Sequence, residues 1–349
     1  MSGWMGFFRS RIRTRQKRRN QLLIGSVLAS AIMMALPLFT FVNPVHARGA
    51  KTPSFQEWLK GVRQEALAAG VSQEVLDRAF RGIKPIPRVI ELDRSQPEFK
   101  LTFKQYLDRV VSDKTVWDGR RLYREHQDLL KKIGDQYGVE PQYIVALWGI
   151  ETRYGKLTGG YPVIAALATL AYDGRRSAFF REELIRALKI IEGGHIAVED
   201  MDGSWAGAMG QVQFMPSSFA TYAVDQDGDG RSDIWDNVPD ALASAANYLS
   251  RSGWQKEQGW GGKVSLPEGF KKDDIGEDIR KTLKEWQQLG VSGKGVSGPG
   301  DLRAYLLQPN KTGGPVYLAY PNYRVILKWN RSNYFAIAVG TLADRIAAP

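Results

Sequence analysis

Helical periodicity is the feature of this sequence that most constrains its fold. From Phe55 onward, apolar residues recur at spacings of three and four over most of the chain, which is typical of amphipathic helices packed on a core. The predicted helices span 55–67, 73–80, 99–110, 121–137, 141–151, 163–171, 178–192, 241–249 and 334–346. Between 253 and 321 this spacing gives way to Gly, Pro and short alternating runs. The sequence therefore predicts a mainly α protein of the α+β class with a small mixed insertion.

The first 47 residues have the three parts of a secretory signal peptide. Seven basic residues and no acidic residue precede position 48, an apolar run spans 22–42, and residues 45–47 form a small-residue cleavage site. An uncleaved membrane anchor is the alternative, because the apolar run is long enough to span a bilayer. Cleavage is favoured because Pro37 interrupts the run and Ala47 ends it. The bulk of the chain is therefore predicted to be exported.

The distribution of charge argues against nucleic-acid binding. The formal net charge of the chain is +11, but without the leader 41 basic residues face 37 acidic ones. The basic runs with interleaved aromatic residues that nucleic-acid binding requires are missing after the leader. A protein of this composition is expected to bind no nucleic acid.

The absence of cysteine excludes several other chemistries. A chain without cysteine has no disulfides, no thiolate nucleophile and no thiolate metal site. After the leader only His126 and His195 remain, and His126 fits a helix face, so a histidine metal site is not expected. Neither a Gly-x-Ser-x-Gly motif nor a phosphate-binding loop of the Walker type is present.

Glu151 is a candidate for acid–base chemistry. It directly follows Trp148-Gly149-Ile150 near the end of the helix that is predicted to begin at Pro141. These apolar neighbours would desolvate its carboxylate and raise its pKa, and a carboxylic acid that stays protonated near neutral pH can donate a proton to a glycosidic oxygen. From these residues alone, an ion pair with Arg153 or a capping role explains such a glutamate at least as well.

A second candidate is the segment 204–216, with the sequence SWAGAMGQVQFMP. Its small residues permit close approach of the backbone, the Gln213 amide can donate and accept, and Met209 and Phe214 supply flat apolar surface. These are the properties of a wall that binds sugar. A purely structural turn is the alternative, and the segment alone does not distinguish the two.

Residues 225–236, with the sequence DQDGDGRSDIWD, match a calcium loop of the EF-hand type. Asp225, Asp227 and Asp229 occupy positions 1, 3 and 5, a glycine follows at position 6, and the Arg231 carbonyl is at position 7. Clustered aspartates repel one another unless a cation or solvent screens them, so a solvated turn is the alternative. Position 12 is Asp236 rather than glutamate. The loop predicts a structural Ca²⁺ of modest affinity, and no organic cofactor is expected.

Three segments together resemble the lytic murein transglycosylase B family. They are ETRYG at 151–155, the segment 204–216, and LDRSQPEF at 92–99, and they occur in the order and spacing of that family. The resemblance extends from about Phe55 to Ala343. It implies a lysozyme-like core with accessory regions, and cleavage of peptidoglycan glycan strands between N-acetylmuramic acid and N-acetylglucosamine.

The resemblance also implies a mechanism in which Glu151 corresponds to a single catalytic glutamate. This residue would protonate the leaving oxygen and then take the proton of the muramoyl 6-hydroxyl, which closes a 1,6-anhydro ring without consuming water. Conventional glycosidases need two carboxylates at set separations. No second carboxylate with an obvious catalytic setting occurs near Glu151 or Gln213 in the sequence.

The family pattern further implies a set of cleft residues and the setting in which the protein works. The implied substrate-binding residues are Ser204, Met209, Gln213, Phe214, Arg175, Tyr106, Tyr248, Trp329 and Asn330. Trp329 departs from the tyrosine expected there, so an aromatic face is kept while the hydroxyl is lost. Family members extend the calcium loop, which makes Asp240 an alternative to Asp236 as its closing carboxylate. A periplasmic monomer is expected, with membrane contact only through an uncleaved leader.

The predicted organisation is a signal peptide at 1–47 followed by a catalytic region at 48–349. That region divides into a helical accessory part at 48–140, a core with Glu151 and the calcium loop at 141–252, a mixed insertion at 253–325 and a closing helix at 326–349. Two other functions stay open. One is a muramidase that hydrolyses the same bond with water, and the other is a calcium-stabilised peptidoglycan-binding protein without catalysis.

Overall fold

A computed structural model describes residues 53–95, 101–310 and 313–348. The predicted signal peptide and residues 96–99 of the LDRSQPEF segment lie outside these ranges. Within them, no helix combines the length and apolar character that crossing a membrane requires.

Four helices make up most of the described part of the chain before residue 111. They are α1 (Phe55–Ala68), α2 (Gln73–Ala79), α3 (Pro87–Ser95) and α4 (Phe103–Val110). Each of α1, α2 and α4 begins where a Ser or Thr side chain accepts a backbone N–H of the first turn, and Ser54 and Thr102 do so within capping boxes. Local capping chemistry therefore sets where these helices start.

The predicted helix at 121–137 is two helices, α5 (Asp113–Glu125) and α6 (Gln127–Tyr137). The break falls at His126, whose φ of −106° and ψ of 23° leave the helical region. The prediction that His126 lies on a helix face was therefore wrong. Its half-buried ring instead lies 6.0 Å from that of Trp148, at the junction of the two helices.

The helix α7 (Pro141–Thr152) forms the centre of the fold. Pro141 occupies its first position, and every residue from 143 to 152 is buried. It packs against α5, α6, α11 (Val238–Arg251) and α14 (Asn333–Ala347). A helix that is apolar on all sides belongs inside the core, and this placement buries its C-terminal end as well.

A second helical layer consists of α8 (Val163–Tyr172), α9 (Ser177–Glu192) and α10 (Pro216–Tyr222). A short antiparallel pair, β1 (Tyr161–Pro162) and β2 (Asp202–Gly203), brings the start of α8 next to the chain beyond α9, and a 3₁₀ turn, Val198–Asp200, precedes β2. The sequence did not predict α10, because seven residues are too few to show helical periodicity.

The predicted insertion contains a four-stranded antiparallel sheet with its own small core. Strands β3 (Gly261–Val264), β4 (Lys281–Thr282), β5 (Arg303–Leu307) and β6 (Val316–Ala319) lie in the order β3-β6-β5-β4. Helix α12 (Leu283–Gln288) covers the sheet with the fully buried Trp286, and 3₁₀ turns occur at Lys272–Asp274 and Lys294–Val296. Helix α13 (Pro321–Trp329) crosses the predicted boundary between 325 and 326, because it links the sheet to the main core.

Candidate active site

Glu151 lies in the last turn of α7 with only 3% of its surface exposed. The chain leaves the helix through consecutive left-handed residues, Arg153 at φ 49°, Tyr154 at φ 62° and Gly155 at φ 75°. Tyr154 supports this strained turn, because its hydroxyl donates to the Thr115 carbonyl at 2.7 Å. The backbone therefore turns away directly after the last turn of α7, and the Glu151 carboxylate lies at this end of the helix.

Gln211 connects the end of α7 to the 204–216 segment through hydrogen bonds. Its Oε1 accepts the indole N–H of Trp148 at 3.0 Å, and its backbone carbonyl accepts the hydroxyl of Thr152 at 2.6 Å. Its Nε2 donates to the carbonyl of Trp235 at 3.1 Å. This buried network satisfies both ends of the amide, and it therefore holds the residues on either side of Glu151 rigidly.

The Glu151 side chain lines a small pocket that is partly open to solvent. The other residues that line this pocket are Gln213, Phe214, Met215, Ser218, Tyr248, Trp329 and Asn330. Five of them belong to the predicted substrate-binding set, although the helices and loops that carry them are far apart in sequence. Glu151 is the one carboxylate among these lining residues.

Trp329 donates its indole N–H to Oε1 of Glu151 at 2.8 Å. The indole is itself nearly buried, with its ring centroid 5.3 Å from that of Phe214 and 4.7 Å from that of Tyr248. Tyr248 is anchored in turn, because its hydroxyl donates to the Lys328 carbonyl at 2.7 Å. Thus the residue at this position donates an indole N–H to Glu151, whereas the family pattern predicts a tyrosine there.

Gln213 combines a strained backbone, a fixed side-chain amide and an unpaired oxygen. It is not glycine, yet its φ is 51°, a strained backbone conformation. Its Nε2 donates to the carbonyls of Thr158 at 3.0 Å and Gly210 at 2.9 Å, which fixes the amide. Its Oε1 is buried and has no hydrogen-bond partner among the described residues. Gln213 thus lines the pocket with a buried acceptor that is left without a partner.

Tyr106 lies near Glu151 but does not line the pocket. Burial, and secondarily the charge of Glu151, raise the pKa of Tyr106 well above its usual range. Its ring centroid is 5.9 Å from that of Tyr334 on α14. Tyr106 is therefore neutral and extends the aromatic surroundings of the carboxylate.

Ser204 and Met209 are turned inward rather than toward the pocket. The Ser204 hydroxyl accepts the Ala208 N–H at 2.9 Å, and Met209 is fully buried while its backbone bridges Gly203 and Phe214. Neither side chain lines the pocket. Both shape the loop that presents Gln213 and Phe214.

Arg175 is held by the first half of the LDRSQPEF segment. Its Nε donates to Oδ2 of Asp93 at 2.8 Å, and its Nη2 donates to the Asp93 carbonyl at 2.9 Å. Arg176 bonds the other carboxylate oxygen of Asp93, which is only 1% exposed. The Arg175 side chain is 50% exposed and does not line the pocket. The structure therefore presents Asp93 as the residue that orders both arginines.

Four residues that build this site were not assigned a role from the sequence, although Met215, Gln211 and Asp93 lie in its candidate segments. Met215 and Ser218 line the pocket, while Gln211 and Asp93 position other residues. Pro216 was a usable signal for Ser218, because proline favours the first position of a helix and places Ser218 in its first turn. No sequence signal pairs Asp93 with a turn 82 positions later.

The predicted calcium loop gathers three exposed carboxylates, whose oxygens lie within 4.8 Å of one another on Asp225, Asp227 and Asp229. Asp225 accepts the N–H groups of Gly228 and Gly230 at 2.7 Å each. Burial opposes ionisation of Asp225, but these N–H groups prevail and lower its pKa. An all-oxygen cluster with ionised carboxylates fits Ca²⁺.

Asp240 and Asp236 are placed differently from these three aspartates. Asp240 is buried beneath the loop and accepts the N–H of Gln226 at 2.7 Å on one oxygen and that of Asp233 at 2.8 Å on the other. Burial, with the charges of Asp227 and Asp225, raises the pKa of Asp240. Asp236 is exposed at the end of the loop. Neither belongs to the three-carboxylate group.

Comparison with known proteins connects this site to a family. Residues 54–344 match the family model described as Transglycosylase SLT domain. Membrane-bound lytic murein transglycosylase B of Escherichia coli (strain K12) is 30% identical over 311 residues, which are 85% of this chain and 84% of that protein.

Solved structures with the same fold include that of SltB3 from Pseudomonas aeruginosa in complex with NAG-anhNAM-pentapeptide. It has a TM-score of 0.80 and 46% identity, and the match covers 84% of this chain and 79% of that chain. The Escherichia coli lytic transglycosylase Slt35 in complex with calcium has a TM-score of 0.71 and 29% identity, over 85% of this chain and 94% of that chain. The predicted mainly α, lysozyme-like fold is thereby confirmed. The family match over nearly all of the described chain shows that this protein belongs to the Transglycosylase SLT domain family and is a lytic murein transglycosylase.

Proposed function

We propose that this enzyme cleaves the β-1,4 bond between N-acetylmuramic acid and N-acetylglucosamine of peptidoglycan, with Glu151 as its single acid and base. The observation that carries the proposal is that Glu151 is buried and is the one carboxylate among the described residues that line the pocket. A two-carboxylate mechanism needs a partner about 5–10 Å away across the bond. If the muramoyl 6-hydroxyl of the substrate acts as the nucleophile, one carboxylate is sufficient for cleavage.

In the first step, protonated Glu151 donates its proton to the glycosidic oxygen. The bond from this oxygen to the muramoyl anomeric carbon breaks, and its electron pair stays with the departing N-acetylglucosamine hydroxyl. In the second step, the muramoyl 6-hydroxyl attacks the anomeric carbon while the Glu151 carboxylate takes its proton. The products are a 1,6-anhydro end and a free hydroxyl, and Glu151 is again protonated. No water enters the balance.

The surroundings of Glu151 support both steps. Burial favours the protonated acid, while the N–H donated by Trp329 stabilises the carboxylate that forms after the first transfer. The acceptor Oε1 of Gln213 suits a hydroxyl or amide N–H of the substrate. Phe214, Tyr248 and Trp329 supply the aromatic surface against which sugar rings pack. Asn330 adds a polar group to the same wall.

The test is a digest of purified peptidoglycan analysed by mass spectrometry. Anhydro-muropeptides from the wild type, with none from Glu151→Gln, support the proposal. Glu140→Gln is a matched control, because it makes the same substitution at the other end of α7, and it should retain activity. Products with reducing ends would mean a muramidase that hydrolyses the bond with water. Absence of any product from the folded wild type would favour a binding protein without catalysis.

The loop at 225–236 is proposed to hold a structural Ca²⁺ through Asp225, Asp227, Asp229 and the carbonyl of Arg231. The clustered carboxylates support this proposal, and a calcium complex is known for the relative Slt35. Asp236 is the better candidate to close the site, because it is exposed at the end of the loop whereas Asp240 is buried beneath it. Calorimetric titration with Ca²⁺ should show binding heat and a rise in Tm. A flat titration without thermal stabilisation would contradict the site.

The cellular setting proposed for the enzyme is the periplasm, where it would act as a monomer on glycan strands. The basic, apolar and small-residue parts of the first 47 residues support export. Mass spectrometry of the mature N-terminus should find cleavage after Ala47, whereas an intact leader would indicate a membrane anchor. Light scattering of the purified protein should give the mass of one chain.

A further inference from the structure

Glu151 and Trp329 form a hydrogen bond whose direction is fixed by chemistry. The indole Nε1 carries a hydrogen and has no lone pair to offer, so it can donate but never accept. Oε1 of Glu151 is therefore an acceptor in this 2.8 Å bond at every stage of the reaction. The indole cannot move aside easily, because it is only 9% exposed and is packed between Phe214 and Tyr248.

This direction distinguishes the two oxygens of Glu151. In a protonated carboxyl group, the carbonyl oxygen is the good acceptor and the hydroxyl oxygen is the donor. If the proton were on Oε1, the indole would face a hydroxyl oxygen, which is a much poorer acceptor. With the proton on Oε2, the indole N–H meets the carbonyl oxygen and its bond is kept.

We propose that Trp329 is a positioning residue that confines the catalytic proton of Glu151 to Oε2. Oε2 donates the proton to the glycosidic oxygen and later accepts the proton of the 6-hydroxyl, while Oε1 stays bound to Trp329 throughout. The carboxyl group then needs no rotation between the two steps. This inference rests on the proposed acid–base role of Glu151.

The same bond affects the proton affinity of Glu151 in a predictable direction. A donor to a carboxylate stabilises its charged form, so Trp329 counteracts the effect of burial on Glu151. A hydrogen bond of this kind shifts the titration of a carboxyl group by roughly one or two pH units. Replacing Trp329 by phenylalanine should therefore raise the pH at which Glu151 loses its proton by about one unit or more.

Among the described residues, the tyrosines near Glu151 do not titrate in the pH range of this measurement. Tyr106 on α4 and Tyr248 on α11 are the tyrosines beside the carboxyl group, and burial raises the pKa of each far above neutrality. Arg153, two residues beyond Glu151, is exposed. Neither tyrosine therefore contributes to a pH dependence near neutrality.

The chain offers a matched control for the loss of an indole hydrogen bond. Trp254 donates its Nε1 to Oε2 of Glu140 at 2.7 Å, at the opposite end of α7, and it is as buried as Trp329. Trp254→Phe removes the same chemical contact from the same helix without touching the pocket. It should lower Tm and leave the titration of Glu151 in place.

The test measures the pH dependence of kcat/KM for anhydro-muropeptide release by wild type, Trp329→Phe, Trp329→Tyr and Trp254→Phe. The alkaline limb, where Glu151 loses the proton needed for the first step, should move to higher pH in Trp329→Phe, with a fall of roughly ten-fold or more in kcat. Trp329→Tyr restores a donor and should bring the limb back toward the wild type. An unmoved limb in Trp329→Phe, or an equal shift in Trp254→Phe, would overturn the proposal.

A second measurement does not depend on turnover. Carbon-13 NMR of the glutamate carboxyl groups, with the Glu151 signal assigned by its loss in Glu151→Gln, follows the titration directly. The pKa of this signal should be higher in Trp329→Phe than in wild type and Trp329→Tyr. A raised pKa in a protein that makes no anhydro product would leave the positioning inference standing and contradict the proposed activity. An unchanged pKa would reject the inference itself.

Discussion

The ring of Tyr154 lies so close to Gly149 that a Cβ on the glycine would be 2.6 Å from Cε1 and Cζ of the tyrosine. Gly149 lies two residues before Glu151 in α7, and Tyr154 lies in the strained turn just after it. A glycine inside a helix is ordinarily a defect that alanine would repair. Here the missing side chain is what lets the turn fold back on the helix.

We expect Gly149→Ala to destabilise the protein by about 1–3 kcal/mol, because the added methyl overpacks a buried contact. It should also lower activity by displacing the turn that leaves Glu151 at the helix end. Urea unfolding and product release measure the two effects. Gly276→Ala is the control, since a Cβ there meets no atom within 4 Å. Equal stability of both variants would show that the Tyr154 ring can move away from the added methyl group without loss of free energy of unfolding.

Asp93 should matter for stability more than an ordinary surface aspartate. We expect Asp93→Asn to cost about 1.5–3 kcal/mol, because two arginines lose a charged acceptor and a buried group loses its partners. The cost stays below that of a fully buried ion pair, since Arg175 and Arg176 are 50% and 36% exposed. Asp77→Asn, which breaks an exposed pair with Arg63, should cost clearly less, because solvent screens such a pair. A similar loss in both variants would contradict the assigned role.

Two aspartates of the calcium loop should respond differently to the same substitution. Asp225→Asn removes a proposed ligand charge, so it should abolish or greatly reduce the rise of Tm on adding Ca²⁺. Asp240→Asn replaces one of two acceptors of backbone N–H groups by an amide NH₂, so it should lower Tm without Ca²⁺ and preserve the calcium response. Thermal unfolding with Ca²⁺ and with chelator separates these outcomes. Loss of the calcium response in Asp240→Asn alone would reverse the assignment.

Glu183 should make stability depend on pH. It is 1% exposed, and burial raises its pKa against the opposing effects of the Ser217 N–H and Arg186. The folded state therefore keeps this proton to a higher pH than the unfolded state. Stability is lost as the pH rises from the unfolded pKa through the folded one.

The measurement is the free energy of unfolding of wild type and Glu183→Gln from about pH 4 to pH 8. The wild type should lose stability relative to the variant as the pH rises, by about 1.4 kcal/mol for each unit between the two pKa values. Glu182→Gln, an exposed neighbour on the same helix, should show no such trend. A relative gain for the wild type would mean that the N–H and Arg186 outweigh burial.

Much of the fold follows from local sequence. Helices α7, α9 and α11 occur within a few residues of their predicted positions, because periodicity, proline at a first turn and capping residues act over one or two turns. The break at His126 and the short α10 escaped prediction. The first is a departure from helical φ and ψ at the single residue His126, and the second is too short to show a period.

Some features of the candidate site likewise follow from local sequence, and others depend on tertiary structure. The sequence by itself determined Glu151 at the end of an apolar helix and the spacing of the calcium loop, since both are properties of a dozen consecutive residues. Only the tertiary structure decided that Trp329, 178 positions away, bonds Oε1 of Glu151, and that Asp93 holds Arg175 rather than leaving it free. Such contacts depend on how whole helices pack against one another. No local sequence pattern encodes that packing. Burial of apolar surface would stabilise many arrangements of the helices, and the close fit of their side chains favours one of them.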